Sequence, residues 1–301
     1  MNSFKQVPAI YHRQIGHFLV TALCDGYMAY ENFDIFRDAD QEKLKTCLAT
    51  ETRVSPPVIS INAFLVRDGL RTILVDCGSG DIMGPTCGRL PELLVSLGIL
   101  PQDISDIMLS HIHPDHSNGL TNPVTGFKNF PNAKVHVHAE EIRHWFDDVA
   151  KSQATERQKR VYFDAGRIQI TPYLVGAVQA FDRECEISPG ITALPSTGHT
   201  PGHSCYILRS EDEAMIIWGD TVHVPEVQLA YPDVGMIFDT DTPAAARSRR
   251  KILQRCVDEN LLVAGMHIHF PGFARIRPGY AGEYRFIPEQ WYHAVKHGQR
   301  V

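Results

Sequence analysis

Apolar residues along this chain gather into short runs bounded by glycine, proline and polar clusters, which is how β-strands mark themselves in a sequence. Such runs predict strands at 18–24, 58–66, 71–75, 104–109, 134–139, 191–194, 205–208, 215–218 and 261–266. Apolar positions recur at helical spacing over 90–97, 140–149, 156–165 and 243–260. The last of these opens with Asp241-Thr242-Pro243, a capping side chain ahead of a first-turn proline. Strand and helix patterns alternate in both halves, so the expected class is α/β. The polar stretch 31–57 reads as a long loop or short irregular helices, and 146–167 carries mixed charges suited to a cap. No internal repeat or low-complexity segment is present.

The run 104–109 leads into His111-Ile112-His113-Pro114-Asp115-His116, three imidazoles and a carboxylate within six residues. Neutral imidazole is a borderline-soft ligand and aspartate a hard anionic one, a mixture that suits zinc or a similar divalent ion better than calcium or magnesium. One tetrahedral centre takes three or four protein ligands, and this cluster is too dense for it. Alternation along an extended loop points His111 and His113 one way and leaves Asp115 and His116 for a neighbour. Three more apolar runs stop at ligand-type residues. Residues 191–194 precede Gly198-His199-Thr200-Pro201-Gly202-His203, 215–219 precede Asp220, and 261–266 precede His267. Four such endings are how sheets present a site at one edge.

Taken in order, HIHPDH, GHTPGH, Gly219-Asp220 and His267-Ile268-His269-Phe270-Pro271-Gly272 resemble the metallo-β-lactamase superfamily over almost the whole chain. Within it, Leu74-Val75-Asp76-Cys77-Gly78, Gly84-Pro85-Thr86-Cys87-Gly88-Arg89-Leu90, Gly219-Asp220-Thr221-Val222-His223-Val224 and the same His267–Gly272 piece are similar to methyl parathion hydrolase-like enzymes and their lactonase relatives. The resemblance implies a single domain over residues 1–301, an αββα four-layer sandwich of two mixed sheets with helices outside. It implies that His111, His113 and His199 hold one metal, that Asp115, His116 and His267 hold another, and that Asp220 bridges them. Asp115 and Asp220 thereby join the catalytic set. The cofactors implied are two divalent ions, zinc first, with manganese, cobalt or iron as alternatives. Asp76 resembles the family's buried structural aspartate rather than a ligand. Positions aligned with the branch's substrate pocket are Met83, Trp145 and Phe163, with Tyr162 as a substitute for the last. Ordinary helix packing is the competing role for Trp145 and Phe163. Met83 stands where the parathion-degrading enzyme has an aromatic residue, which argues against stacking an aryl leaving group. His223, three residues after Asp220, is a candidate pocket residue.

The remaining histidines divide between support and coincidence. His136 and His138 share one strand face at a ligand spacing but lack acidic partners of motif type, so they read as structural. His203 reads as a hydrogen-bonding support of the GHTPGH loop. His267 and His269 could exchange on spacing alone, and the family register favours His267.

Composition narrows the class of partner. With 301 residues, 44% hydrophobic and 21% charged, the chain can bury one substantial core. A formal net charge of −6 leaves no broad basic surface for a phosphate backbone, which excludes nucleic acid from the expected partners. No stretch reaches the length of a transmembrane span, and residues 1–8 form no apolar leader core, so a cytoplasmic location without membrane contact is expected. Seven cysteines, odd in number and without CxxC spacing, read as thiols in a reducing compartment. Cys77 and Cys205 lie near the motifs, but the His/Asp set already fills both metals. The expected partners are a small-molecule substrate and, at most, a second copy of the chain in a homodimer.

Two close cations ionise a shared water near neutral pH and polarise the oxygen under attack. The expected function is therefore a dinuclear-metal hydrolase of small ester-type substrates acting through a metal-bridging hydroxide. Lactones come first, in the manner of a quorum-quenching lactonase, with aryl ester or phosphotriester turnover as a side activity. Three alternatives rank lower. A thioester hydrolase of the glyoxalase II kind would carry a basic C-terminal region, and 288–301 holds only Lys296 and Arg300. A redox member would need a flavin domain or a single-metal set. A non-catalytic ligand sensor would most simply have lost ligands, and all seven are in place.

Overall fold

A computed structural model of the protein describes residues 9–50, 53 and 56–295. Residues 1–8 and the tail residues Lys296 and Arg300 lie outside the described residues. The first half of the chain contributes β1 (Ile10–Ile15), β2 (Phe18–Ala29), β3 (Phe36–Arg37), β4 (Val58–Arg67), β5 (Thr72–Val75), β6 (Asp106–Met108), β7 (Lys134–His138) and β8 (Val178–Phe181). The second half contributes β9 (Cys185–Ser188), β10 (Ile191–Pro195), β11 (Ser204–Ser210), β12 (Glu213–Ile217), β13 (Gly235–Met236), β14 (Leu262–Ala264), β15 (Phe273–Pro278) and β16 (Tyr284–Pro288). One sheet has the order β1-β2-β4-β5-β6-β7-β8, the other β16-β15-β14-β12-β11-β10-β9, and β3 pairs with β13 apart from both. Each sheet is mixed. β5 through β8 are parallel in the first, and β12 lies parallel to β14 in the second.

The central strands read as nearly continuous apolar runs because both of their faces are covered. In β4, Phe64 and Val66 turn toward the second sheet, while Ala63 and Leu65 turn outward onto helices. In β11, Tyr206 and Leu208 turn inward, and Cys205 and Ile207 outward. Three stacked cores follow. The middle one lies between the sheets, with Val20, Ile73 and Met108 meeting Ile191, Met215 and Leu262. Outside the first sheet, Leu90 and Leu94 of the helix Leu90–Ser96 pack with Ile170 and Tyr173 of the helix Ala165–Leu174. Outside the second, Ile252, Leu253 and Cys256 of the helix Thr242–Asp258 close the last layer. The fold is the four-layer αββα sandwich.

Some elements differ from the sequence-based expectation. The stretch 31–57 contains β3 and the helix Gln41–Thr50, whose Leu44 and Leu48, one turn apart, enter a fourth small cluster with Val227 and Met236. The helical pattern 140–149 is two helices, Ala139–Trp145 and Asp148–Gln153. Asp147 separates them because its side chain accepts the Val149 and Ala150 N–H groups as an N-cap. The pattern 156–165 is a short helix, Glu156–Gln158, followed by a π-helical turn, Lys159–Asp164.

Candidate metal centre

Strand direction brings the ligand-type residues together. β10 and β12 are both antiparallel to β11, and β14 is parallel to β12, so the carboxyl ends of all three point the same way. His199, Asp220 and His267 follow those ends, and His111 follows β6 of the other sheet. Asp220 is in the short turn Gly219–Thr221, entered through Gly219 at φ +56°. A Cβ there would come within 2.4 Å of His203 Nε2, so glycine is required on both counts.

The two oxygens of Asp220 separate two groups of donors. Oδ2 lies 3.1 Å from His199 Nε2 and 3.7 Å from His111 Nε2. His199 Nε2 is itself 3.0 Å from His113 Nδ1. Oδ1 lies 3.1 Å from both His116 Nε2 and His267 Nε2. Asp115 Oδ2 completes that second group at 3.4 Å from His116 Nε2 and 3.5 Å from His267 Nε2. Except for Asp115, which is only partly covered, all of these side chains are buried.

Divalent cations fit this arrangement. His199 Nε2 sits 3.2 Å from His111 Nε2, so nitrogen lone pairs converge on one point. Burial first, then the adjacent imidazoles, pushes His111 and His113 well below the ordinary histidine range, which disfavours protons as the filler. Asp220 Oδ1 and His116 Nε2 are buried and, despite their 3.1 Å separation, lack hydrogen-bonding geometry. Such buried atoms without partners are costly unless an ion satisfies them.

Hydrogen bonds behind the donors fix their ring orientations. Asp76 accepts from His116 Nδ1 at 2.6 Å and from the Ser110 backbone and hydroxyl, and Ser110 Oγ is 3.0 Å from His111 Nδ1. Asp239 accepts from His199 Nδ1 at 2.8 Å, and the Ser60 carbonyl from His267 Nδ1 at 2.8 Å. His203 donates from Nδ1 to Ser196 O and accepts the Asp220 N–H at Nε2, so it orients the loop and the shared carboxylate together. Burial holds its pKa down to about 3, consistent with the neutral ring this geometry needs. Arg249, buried on the helix Thr242–Asp258, donates to Thr221 O, Pro232 O and Val234 O, clamping the segment that carries Asp220 and His223. Asp239, Ser60 and Arg249 are not foreseen from the sequence because none sits in a ligand motif and each meets its partner only after folding.

His223 lies in the same cluster. Its Nε2 is 3.0 Å from Asp220 Oδ2, its ring stacks on His267 at 4.9 Å, and its Nδ1 is buried without a partner. Met83 is half-buried on the 78–90 loop, which Asp25 holds through the Ser79, Gly88 and Leu90 N–H groups. Trp145 and Phe163 are 2% and 4% exposed and belong to the core outside the first sheet. Trp145 still borders the centre, 5.5 Å from the His113 ring, and half-buried Tyr162 lies nearer at 4.7 Å. Outside the cluster, His136 pairs with Asp106 at 2.8 Å, His138 caps a helix by accepting the Glu140 N–H, and His269 is 3.7 Å from Glu226. Burial raises the thiols of Cys77 and, to about 11, Cys205, and neither belongs to a donor group.

The chain belongs to the metallo-beta-lactamase superfamily, whose family model matches residues 56–267. It is similar to hydrolases of that superfamily across nearly its full length. The crystal structure of AbOPH, a hydrolase in the beta lactamase superfamily, covers 96% of this chain and 100% of its own at TM-score 0.89 and 29% identity. AidC, a dizinc quorum-quenching lactonase solved with its product N-hexanoyl-L-homoserine, covers 95% and 99% at TM-score 0.88 and 26% identity. The N-acyl homoserine lactonase AiiB of Agrobacterium fabrum is 28% identical over 196 residues, 55% of this chain and 67% of that protein. An atrochrysone carboxyl ACP thioesterase of Passalora fulva is 24% identical over 162 residues, 54% of this chain and 38% of its own length. With its donor groups, the protein is a metal-dependent hydrolase of this superfamily.

Proposed function

We propose that the protein is a dinuclear-metal lactonase, with N-acyl homoserine lactones as its foremost substrates. One observation carries this reading: the two oxygens of Asp220 divide between two separate groups of metal-ligating side chains. His111, His113 and His199 would hold one ion, Asp115, His116 and His267 the other, and Asp220 both. Zinc is supported by the imidazole-rich donor set and by the dizinc centre of AidC. Bound there, two divalent ions supply an ionisable water and an electrophile for the carbonyl oxygen.

The chain's own residues hold and orient the substrate. His223 stands against Asp220, where it would hydrogen-bond a substrate oxygen. Tyr162 offers a hydroxyl donor, which burial, reinforced by Asp115, keeps protonated. Tyr162 belongs to a cap that Arg167 ties down by donating to Trp145 O at 2.8 Å, with a Lys151–Asp164 ion pair beside it. Seven cysteines, odd in number and without CxxC spacing, support residence in a reducing compartment.

The thioesterase relative favours one other reading, hydrolysis of a thioester at the same centre. Metal analysis of the purified protein, combined with turnover of N-hexanoyl homoserine lactone, an aryl ester, an acyl thioester and paraoxon, separates the two. We expect about two equivalents of metal and fastest turnover of the lactone. At most one equivalent after reconstitution with excess zinc, cobalt or manganese overturns the dinuclear reading. Thioester turnover without lactone turnover overturns the lactonase.

A further inference from the structure

Glu141, on the helix Ala139–Trp145, is fully buried, yet it belongs to neither donor group. Its Oε2 accepts the Ile112 N–H at 2.9 Å and the Trp145 Nε1–H at 2.7 Å, while Oε1 accepts the Gly202 N–H at 2.7 Å. Ile112 lies between His111 and His113, and Gly202 lies just before His203 in the loop that carries His199. One carboxylate thus joins the two loops that supply all three imidazoles of the first donor group. Gly202 allows this approach because a Cβ there would meet the Glu141 backbone nitrogen at 2.7 Å. The third donor, Trp145, packs its ring 5.5 Å from that of His113 and is the residue whose carbonyl Arg167 holds.

We propose that Glu141 is a positioning residue that holds the His111–His113 and His199–His203 loops in one register before any ion arrives, and joins both to the cap through Trp145. The inference rests on the dinuclear reading above. Its physical basis is that a buried carboxylate with three N–H donors makes strong, short hydrogen bonds, and that separating the loops would leave the carboxylate unpaired. Among the described residues the second donor group has no such brace. His116 is oriented by Asp76 and His267 by the Ser60 carbonyl, contacts that Glu141 does not share.

Glu141→Gln is the informative substitution. It keeps the shape but leaves one acceptor oxygen, so its amide N–H₂ must face an N–H donor on one side. Cobalt(II) is titrated into metal-free wild type and E141Q against a chelator, the visible spectrum being followed. His199→Ala and His267→Ala assign each binding step to a donor group. We expect E141Q to weaken the His111/His113/His199 step by about 10- to 100-fold, the usual cost of losing a support behind metal ligands, and to leave the other step unchanged. If both steps are unchanged, or both fall alike, the inference is overturned while wild-type uptake of two equivalents leaves the dinuclear reading standing. Failure of wild type to take two equivalents overturns that reading and the inference with it. Should E141Q not fold, amide exchange in metal-free wild type decides. The Ile112 and Gly202 amides should exchange as slowly as those of β6, and rapid exchange until metal is added would mean that the ion, not Glu141, orders the loops.

Discussion

The two donor groups differ in charge and in what holds them. The His111/His113/His199 group offers only imidazoles beside the shared Asp220, whereas the Asp115/His116/His267 group includes a carboxylate of its own among its donors. Electrostatics alone therefore favours a divalent ion in the second group, where Asp115 adds a formal charge. The first group compensates with preorganisation, since its two loops are tied to each other by a buried side chain. A centre built this way should fill its second position more tightly and depend on the scaffold for its first.

The largest effect should come from removing what the two groups share. Asp220→Asn keeps the size of the side chain but takes away its charge and one of the two oxygens that would ligate. Metal-ion catalysis supplies several kcal/mol, so turnover should fall about 10³-fold or more, with loss of metal from both positions. Elemental analysis after desalting checks it. Retention of two equivalents would mean that Asp220 does not bridge.

Next come the supports, which separate the groups. Among the donor imidazoles Asp239 touches His199, whereas Asp76 touches His116 directly and His111 through Ser110. Each should cost about 10- to 100-fold in metal affinity when changed to asparagine. Asp239→Asn should weaken the first position alone, and Asp76→Asn both. Stepwise cobalt(II) titration reads the difference, and equal patterns for the two variants would contradict the asymmetry.

How much of this was legible in the sequence follows from the same physics. The seven proposed donors stand out because only a few residue types can ligate a metal and these are placed where strands end, and HIHPDH and GHTPGH put several in one loop. Asp239 and Glu141 act singly and meet their partners only after folding. β1, with the sequence IYHRQI, and the outer strand β16 were missed because edge strands face water and mix polar residues into the pattern. The cap shows the subtler failure. An α-helical pattern over 156–165 does not determine which ring turns inward, because the π-helical turn Lys159–Asp164 shifts the register. Phe163 enters the core, and Tyr162 reaches His113.

Acidity should weaken metal binding, in a sense set by the imidazoles nearest carboxylates. Burial opposes the charge on His199, but Asp220 and Asp239 outweigh it and raise its pKa to about 9. His116 and His267 are raised as well, again by carboxylates that overcome burial. In the metal-free protein His199 holds a proton at pH 7 that an ion must displace, and the upward shifts of His116 and His267 act in the same direction. Apparent affinity should therefore climb as pH rises toward 9, by about tenfold per unit for each displaced proton. Binding in weak buffer at pH 7 should release protons. Flat affinity between pH 6 and 9 would show that the rings are already neutral.

The smallest effect tests the cap. Tyr162 is the half-buried ring beside His113, and its hydroxyl is the part that would touch a substrate amide or carbonyl. Tyr162→Phe removes one hydrogen bond and little else, so kcat/KM for an acyl homoserine lactone should fall by about 2- to 10-fold, the 0.5–1.5 kcal/mol of a neutral hydrogen bond. Metal content and melting temperature should stay the same. Phe163 makes the control because its ring is packed among Trp145 and the core outside the first sheet. Phe163→Leu should lower the melting temperature and leave the ranking of lactone, ester and thioester substrates as it was. If Phe163→Leu changed that ranking while Tyr162→Phe had no effect on kcat/KM, the substrate would lie against the other ring, and the cap would have to close differently over the metal centre.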